Sequence, residues 1–122
     1  MTIEGTCGEK TANTLDELYQ ILHGHRDGDF REFWLGGQGF PAMAIHIHGD
    51  LAYLHFFPAD KHPGFQPIGN LGPGNDITFK QKGQGDFSVP RTFVVTIGQA
   101  YQAAAEFFTT LQRPGCIQWT EL

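Results

Sequence analysis

Met43-Ala44-Ile45-His46-Ile47-His48, then Gly49-Asp50, then Leu51-Ala52-Tyr53-Leu54-His55-Phe56-Phe57 carries the strongest structural signal in the chain. Two alternating runs on either side of a two-residue, glycine-containing turn read as a β-hairpin. With Gly49-Asp50 as the turn, His48 faces Leu51, His46 faces Tyr53 and Ala44 faces His55. One side of the hairpin then carries Met43, Ile45, Ile47, Ala52, Leu54 and Phe56. That side is wholly apolar and must face a core, because a slip of one residue would turn the entire set to solvent.

Working outward, Phe30 to Leu35 is an apolar, aromatic strand stopped by Gly36-Gly37-Gln38-Gly39. Pro58 to Gly64 is a loop. Short strands are expected at Phe65 to Ile68, Ile77 to Lys80 and Thr92 to Val95, with turns at Gly69 to Asn75 and Gly83 to Asp86. Thr14-Leu15-Asp16-Glu17 is a capping box opening a helix whose apolar stripe is Leu15, Leu18, Tyr19 and Leu22. A second box, Thr96 with Gln99, opens a helix with the stripe Ile97, Ala100, Tyr101, Ala104, Phe108 and Leu111. That stripe places Ala103 off the buried face. Arg113-Pro114-Gly115 ends the helix, and Cys116 to Thr120 reads as a last strand. Short connections between strands imply antiparallel pairing. The expectation is a single α+β domain over residues 1–122: one antiparallel sheet of about five to six strands, covered on one face by two helices.

The 122 residues include 8 Lys and Arg against 13 Asp and Glu, for a net charge of −5, with 40% hydrophobic residues and 11 Phe. Such a chain buries enough surface to fold without a metal or disulfide staple. It is too apolar for disorder. Its charge has the wrong sign for a sequence-independent nucleic-acid binder and would be repelled by anionic membranes. A basic protein is the partner it attracts. No apolar run reaches the length of a membrane span, and Met1 to Gly5 lacks the start of a signal peptide. Cys7 and Cys116 stand apart in no CxxC pair, so reduced thiols and a cytoplasmic setting are expected.

His46, His48 and His55 share the other side of the hairpin. Three imidazoles there suggest a metal site, and with it a small metal-dependent or ligand-binding enzyme. A cupin-type enzyme would need a Glu soon after the His-x-His and a later Pro/Gly/His signature, and the sequence has neither. The one serine, Ser88, lies outside any nucleophile elbow. Cys116, beside Ile117 and Trp119, reads as a buried and inert thiol. The glycine clusters lack a phosphate-loop lysine. No Pro-Cys-x-x-Cys of a zinc deaminase occurs.

Asp86-Phe87-Ser88-Val89-Pro90, the helix from Thr96-Ile97 through the Ala- and Phe-rich stretch 103–108, Arg113-Pro114 and the strand with Trp119 form one ordered pattern. It resembles the C-terminal half of the first-numbered immunity family of bacterial polymorphic toxin systems, often encoded beside deaminase-type toxins. The resemblance implies a non-enzymatic inhibitor, without cofactor or metal, that binds a cognate toxin domain and blocks its active site. Within such a protein the turn aspartates Asp50, Asp60, Asp76 and Asp86, together with Phe65, are the expected toxin-binding residues. Phe40-Pro41 is a further aromatic turn. Trp34 and Trp119 are expected in the core, and a homodimer is allowed.

Overall fold

The computed structural model describes residues 1–5, 8–24, 30–37 and 39–122. Cys7 and Gln38 lie outside the described residues, and so does the expectation for the Cys7 thiol. The hairpin forms in the expected register. Strand β4 (Ala42–His48) pairs antiparallel with β5 (Leu51–Phe57), with His48 opposite Leu51, His46 opposite Tyr53 and Ala44 opposite His55. Gly49 turns the chain at φ +61°, a conformation that suits glycine. Met43, Ile45, Ile47, Ala52, Leu54 and Phe56 are all buried in the main core.

The hairpin sits in the middle of a larger sheet than the sequence suggested. Strands β1 (Thr2–Gly5), β2 (Gly8–Thr11), β3 (Phe30–Leu35), β6 (Phe65–Ile68) and β10 (Gln118–Glu121) join it in the order β10-β6-β5-β4-β3-β1-β2. A two-residue strand β9 (Val95–Thr96) pairs with the Leu51 end of β5, which makes eight strands among the described residues. The strand expected at Thr92 to Val95 is instead a 3₁₀ turn, Arg91–Phe93, followed by β9. Strand β10 begins two residues later than expected, which leaves Cys116 outside it and exposed.

Helices α1 (Leu15–His23) and α2 (Ile97–Thr110) lie on the Ile45/Ile47 side of the sheet. Both helices are capped by the expected threonine, but only the second capping box closes. Thr14 Oγ1 accepts from the Glu17 N–H while the Glu17 carboxylate accepts from the Asn13 N–H. At α2 the box is closed: Thr96 Oγ1 accepts from the Gln99 N–H, and the Gln99 side-chain oxygen accepts from the Thr96 N–H. The buried face of α1 is Leu18 and Leu22 with Ile21 beside them, whereas Leu15 and Tyr19 are exposed. In α2, Ala100, Ala103, Ala104 and Phe107 are buried. Ala103 is therefore inside, contrary to the expected stripe, and Leu111 is an exposed left-handed cap. This helix is covered over a wider arc than a single i, i+3, i+4 stripe describes.

The opposite face of the sheet is not open. Strands β7 (Ile77–Gln81) and β8 (Gly85–Val89) form a separate hairpin that packs on it. Ile77 pairs with Val89 and Phe79 with Phe87, which gives the hairpin one apolar side. Phe79, Val89 and Val94 close a second core with Leu51 and Tyr53 of β5. The fold is α+β and antiparallel as expected, but with ten strands among the described residues and cover on both faces.

Candidate functional site

The three histidines do share one sheet face, but each is committed to the fold. The His48 Nδ1–H donates to the Thr78 carbonyl at 2.7 Å, tying β4 to β7, and its ring stacks on Phe30. The His55 Nε2–H donates to the Pro63 carbonyl at 2.9 Å, and its ring stacks on Phe57 with 3.9 Å between centroids. This close loop needs Gly64 (φ +93°), where a Cβ would lie 2.5 Å from His55 Nε2. His46 is buried under the edge of Phe87, and its Nδ1 has no hydrogen-bond partner among the described residues. Burial pushes the His46 imidazole below its ordinary 6.5, against the opposing pull of the Glu32 carboxylate and a hydrogen bond to the Lys80 backbone. Burial likewise lowers His55. Among the described residues no cluster of His, Cys, Asp or Glu is placed to hold a metal ion.

Cys116 is exposed as a residue, not buried as the sequence suggested, because it precedes β10. Its thiol is nonetheless pushed up to about 11 by partial burial, then by the hydrogen bond and negative charge of Glu106. A thiol so placed is protonated at neutral pH and a poor nucleophile.

Asp50, Asp60, Asp76 and Asp86 are all exposed. The structure does not gather them into one patch. Asp50 is in the β4–β5 turn and Asp60 follows the far end of β5, a strand about 20 Å long. Asp86 lies within β8 opposite Lys80, not in a turn. Phe65 is half-buried, stacked on His62, touching the Arg113 guanidinium at 4.4 Å and packed against the main core. Phe40 is exposed. Trp119 packs on the core through Phe56, and its indole N–H donates to the Pro114 carbonyl.

Trp34 departs from the core role expected of it. It stands on the sheet face opposite the helices, half-buried, and lines a groove of about 610 Å³ between β1, β3 and the β7–β8 turn. Its Nε1–H donates to Glu32 Oε1 at 2.8 Å, and its ring lies nearly parallel to Phe57. The other Glu32 oxygen accepts from the Lys82 N–H at 2.9 Å, which fixes the β7–β8 turn to the sheet. Glu4 is the cross-strand neighbour of Trp34. Lys80 lies over the Phe30 ring at 4.6 Å. Sequence reasoning missed this groove because it depends on β1 pairing with β3, and β1 shows only one apolar residue, Ile3, in its four.

Residues 9–121 match the family described as Immunity protein Imm1. The chain is also 30% identical over 118 residues to a protein of Burkholderia cenocepacia (strain H111) named double-stranded DNA deaminase immunity protein, a match that covers 94% of each chain.

Proposed function

The chain belongs to the Imm1 family of immunity proteins, and on that premise we propose that it neutralises a deaminase-type toxin by binding the toxin domain and blocking its active site. The observation that carries the reading is the match over nearly the whole length of a relative named for immunity to a double-stranded DNA deaminase. The 1–122 chain acts as one domain, stoichiometrically, with no cofactor and no turnover of its own. It acts in the cytoplasm, where a nucleic-acid-modifying toxin does its damage; no described helix is long and apolar enough to cross a membrane.

The net charge of −5 supports a basic partner and disfavours nucleic acid itself. Exposed Asp50, Asp60, Asp76 and Asp86 are spread over several turns and strands, which suits long-range attraction better than one contact patch. Their role is to speed encounter with the toxin. Phe65, held by Arg113 and His62, offers a rigid aromatic edge beside β10. Co-expression tests the reading: the deaminase domain encoded beside this gene should arrest growth alone and be tolerated with the chain present. Continued arrest at full expression of the folded chain would refute it.

A further inference from the structure

We propose that the groove between β3 and the β7–β8 turn receives an arginine-bearing basic segment of the toxin, its guanidinium stacked on Trp34 and paired with Glu4. The inference rests on the reading that this chain binds a toxin, and it names where and through what chemistry.

Glu4 and Trp34 are directly opposite on β1 and β3, so carboxylate and indole leave the same sheet face side by side. Glu4 is exposed and makes no hydrogen bond or ion pair among the described residues. The indole is already held, by the Glu32 acceptor at one end and by Phe57 alongside. Binding therefore orders little that is not ordered beforehand. The same Glu32 carboxylate anchors the opposite wall through the Lys82 N–H, so the width of the groove is set before any ligand arrives.

The groove volume of about 610 Å³ falls in the range of ligand-binding clefts and has room for a large side chain with its flanking backbone. Lys80 and Lys82 also line the groove; the Lys80 ammonium lies over the Phe30 ring with Asp86 as its strand neighbour, and the Arg31 guanidinium is turned away to the Leu22 carbonyl and Tyr101, which leaves Glu4 as the charged group beside the indole. A toxin that handles DNA presents Arg and Lys for phosphate contacts. Arginine fits this groove better than lysine, because its planar guanidinium stacks on an aromatic face while forking to a carboxylate. Occupying that arginine would also withhold it from nucleic acid.

The test measures dissociation of the toxin domain encoded beside this gene from immobilised chain at about 0.15 M salt, where long-range attraction is largely screened. Glu4→Lys and Trp34→Ala should each raise the dissociation rate at least about tenfold, as for a buried hot spot. Trp34→Phe keeps a ring and should retain most of the lifetime. Gln102→Lys, exposed on α2 across the sheet from the groove, should leave dissociation unchanged. Glu4→Lys sits at an exposed position and keeps the test valid even where Trp34→Ala loosens the fold. Unchanged dissociation in both Glu4→Lys and Trp34→Ala, with the unmodified chain binding, overturns the groove and leaves the toxin-binding reading standing. No binding by the unmodified chain overturns both. A homodimer that Glu4→Lys splits would put a second copy in the groove and overturn the proposal.

Discussion

The buried guanidinium of Arg31 on β3 donates to the hydroxyl of Tyr101 on α2 at 3.1 Å. Its other terminal nitrogen donates to the Leu22 carbonyl at 2.7 Å. One cation on the sheet thus bonds to both helices, and it meets α1 at the carbonyl end, where the helix dipole favours positive charge. Arg31→Ala removes the charged donor from the Leu22 carbonyl and the Tyr101 hydroxyl, leaving that carbonyl only the 3.4 Å bond from Tyr101, and should cost about 3 kcal/mol in urea denaturation. Tyr101→Phe removes a single neutral partner and should cost about 1 kcal/mol. Equal losses from the two would mean that the guanidinium does not organise this junction.

Ala103 and Ala104 of α2 are both fully buried. Glutamate at either position would bury an unpaired charge, and each variant should lose more than about 3 kcal/mol. Gln102→Glu, at an exposed neighbour, should stay within about 0.5 kcal/mol of the parent. A well-folded Ala103→Glu protein would show that α2 is rotated relative to the packing described.

His46 gives stability a defined pH dependence. Its imidazole faces Glu32 and Tyr53 across the strands, Phe87 above and the Lys80 backbone, and burial holds it below 6.5. Below pH 6.5 the unfolded chain then binds more protons than the folded one. Stability is therefore complete above that value and falls as the pH drops towards the lowered folded value. His55 adds to the same trend. His46→Leu should flatten the decline between pH 7.5 and 5 in denaturant midpoints, leaving only the part due to His55. An unchanged slope would assign the effect elsewhere.

Changing Asp50, Asp60, Asp76 and Asp86 together to Asn takes the net charge from −5 to about −1. Association with the toxin domain should slow and lose most of its salt dependence, with dissociation nearly unaltered. A large change in dissociation instead would mean that these side chains are direct contacts.

How much of this was legible in the sequence varies with the range of the interactions. The register of the Met43–Phe57 hairpin was legible because three apolar positions on each side of Gly49-Asp50 agree on one face. The caps at Thr14 and Thr96 are local hydrogen bonds between residues three apart, and both form, although Glu17 reaches the Asn13 N–H and does not close the box on Thr14. Strands β1 and β2 were not legible: Thr2-Ile3-Glu4-Gly5 and Gly8-Glu9-Lys10-Thr11 have almost no apolar alternation and are strands only because β3 pairs with β1 and β1 with β2. Strand β8 was hidden by Gly85 and Asp86, which read as turn residues; pairing of Phe87 with Phe79 overrides that preference. The histidine face was read correctly as a face. Its use was not, because the carbonyls of Thr78 and Pro63 that take up His48 and His55 come from other segments. The Glu4–Trp34 groove depends on the same kind of long-range pairing.

The central claim is that this chain inhibits a deaminase toxin by occupying it. Titrating the chain into a fixed amount of the toxin's deaminase domain, with deamination of double-stranded DNA as the readout, tests it most directly. Activity should fall linearly and vanish at one equivalent, whatever the DNA concentration. Full deamination in the presence of excess folded chain, or loss of activity at a small fraction of an equivalent, would contradict stoichiometric inhibition.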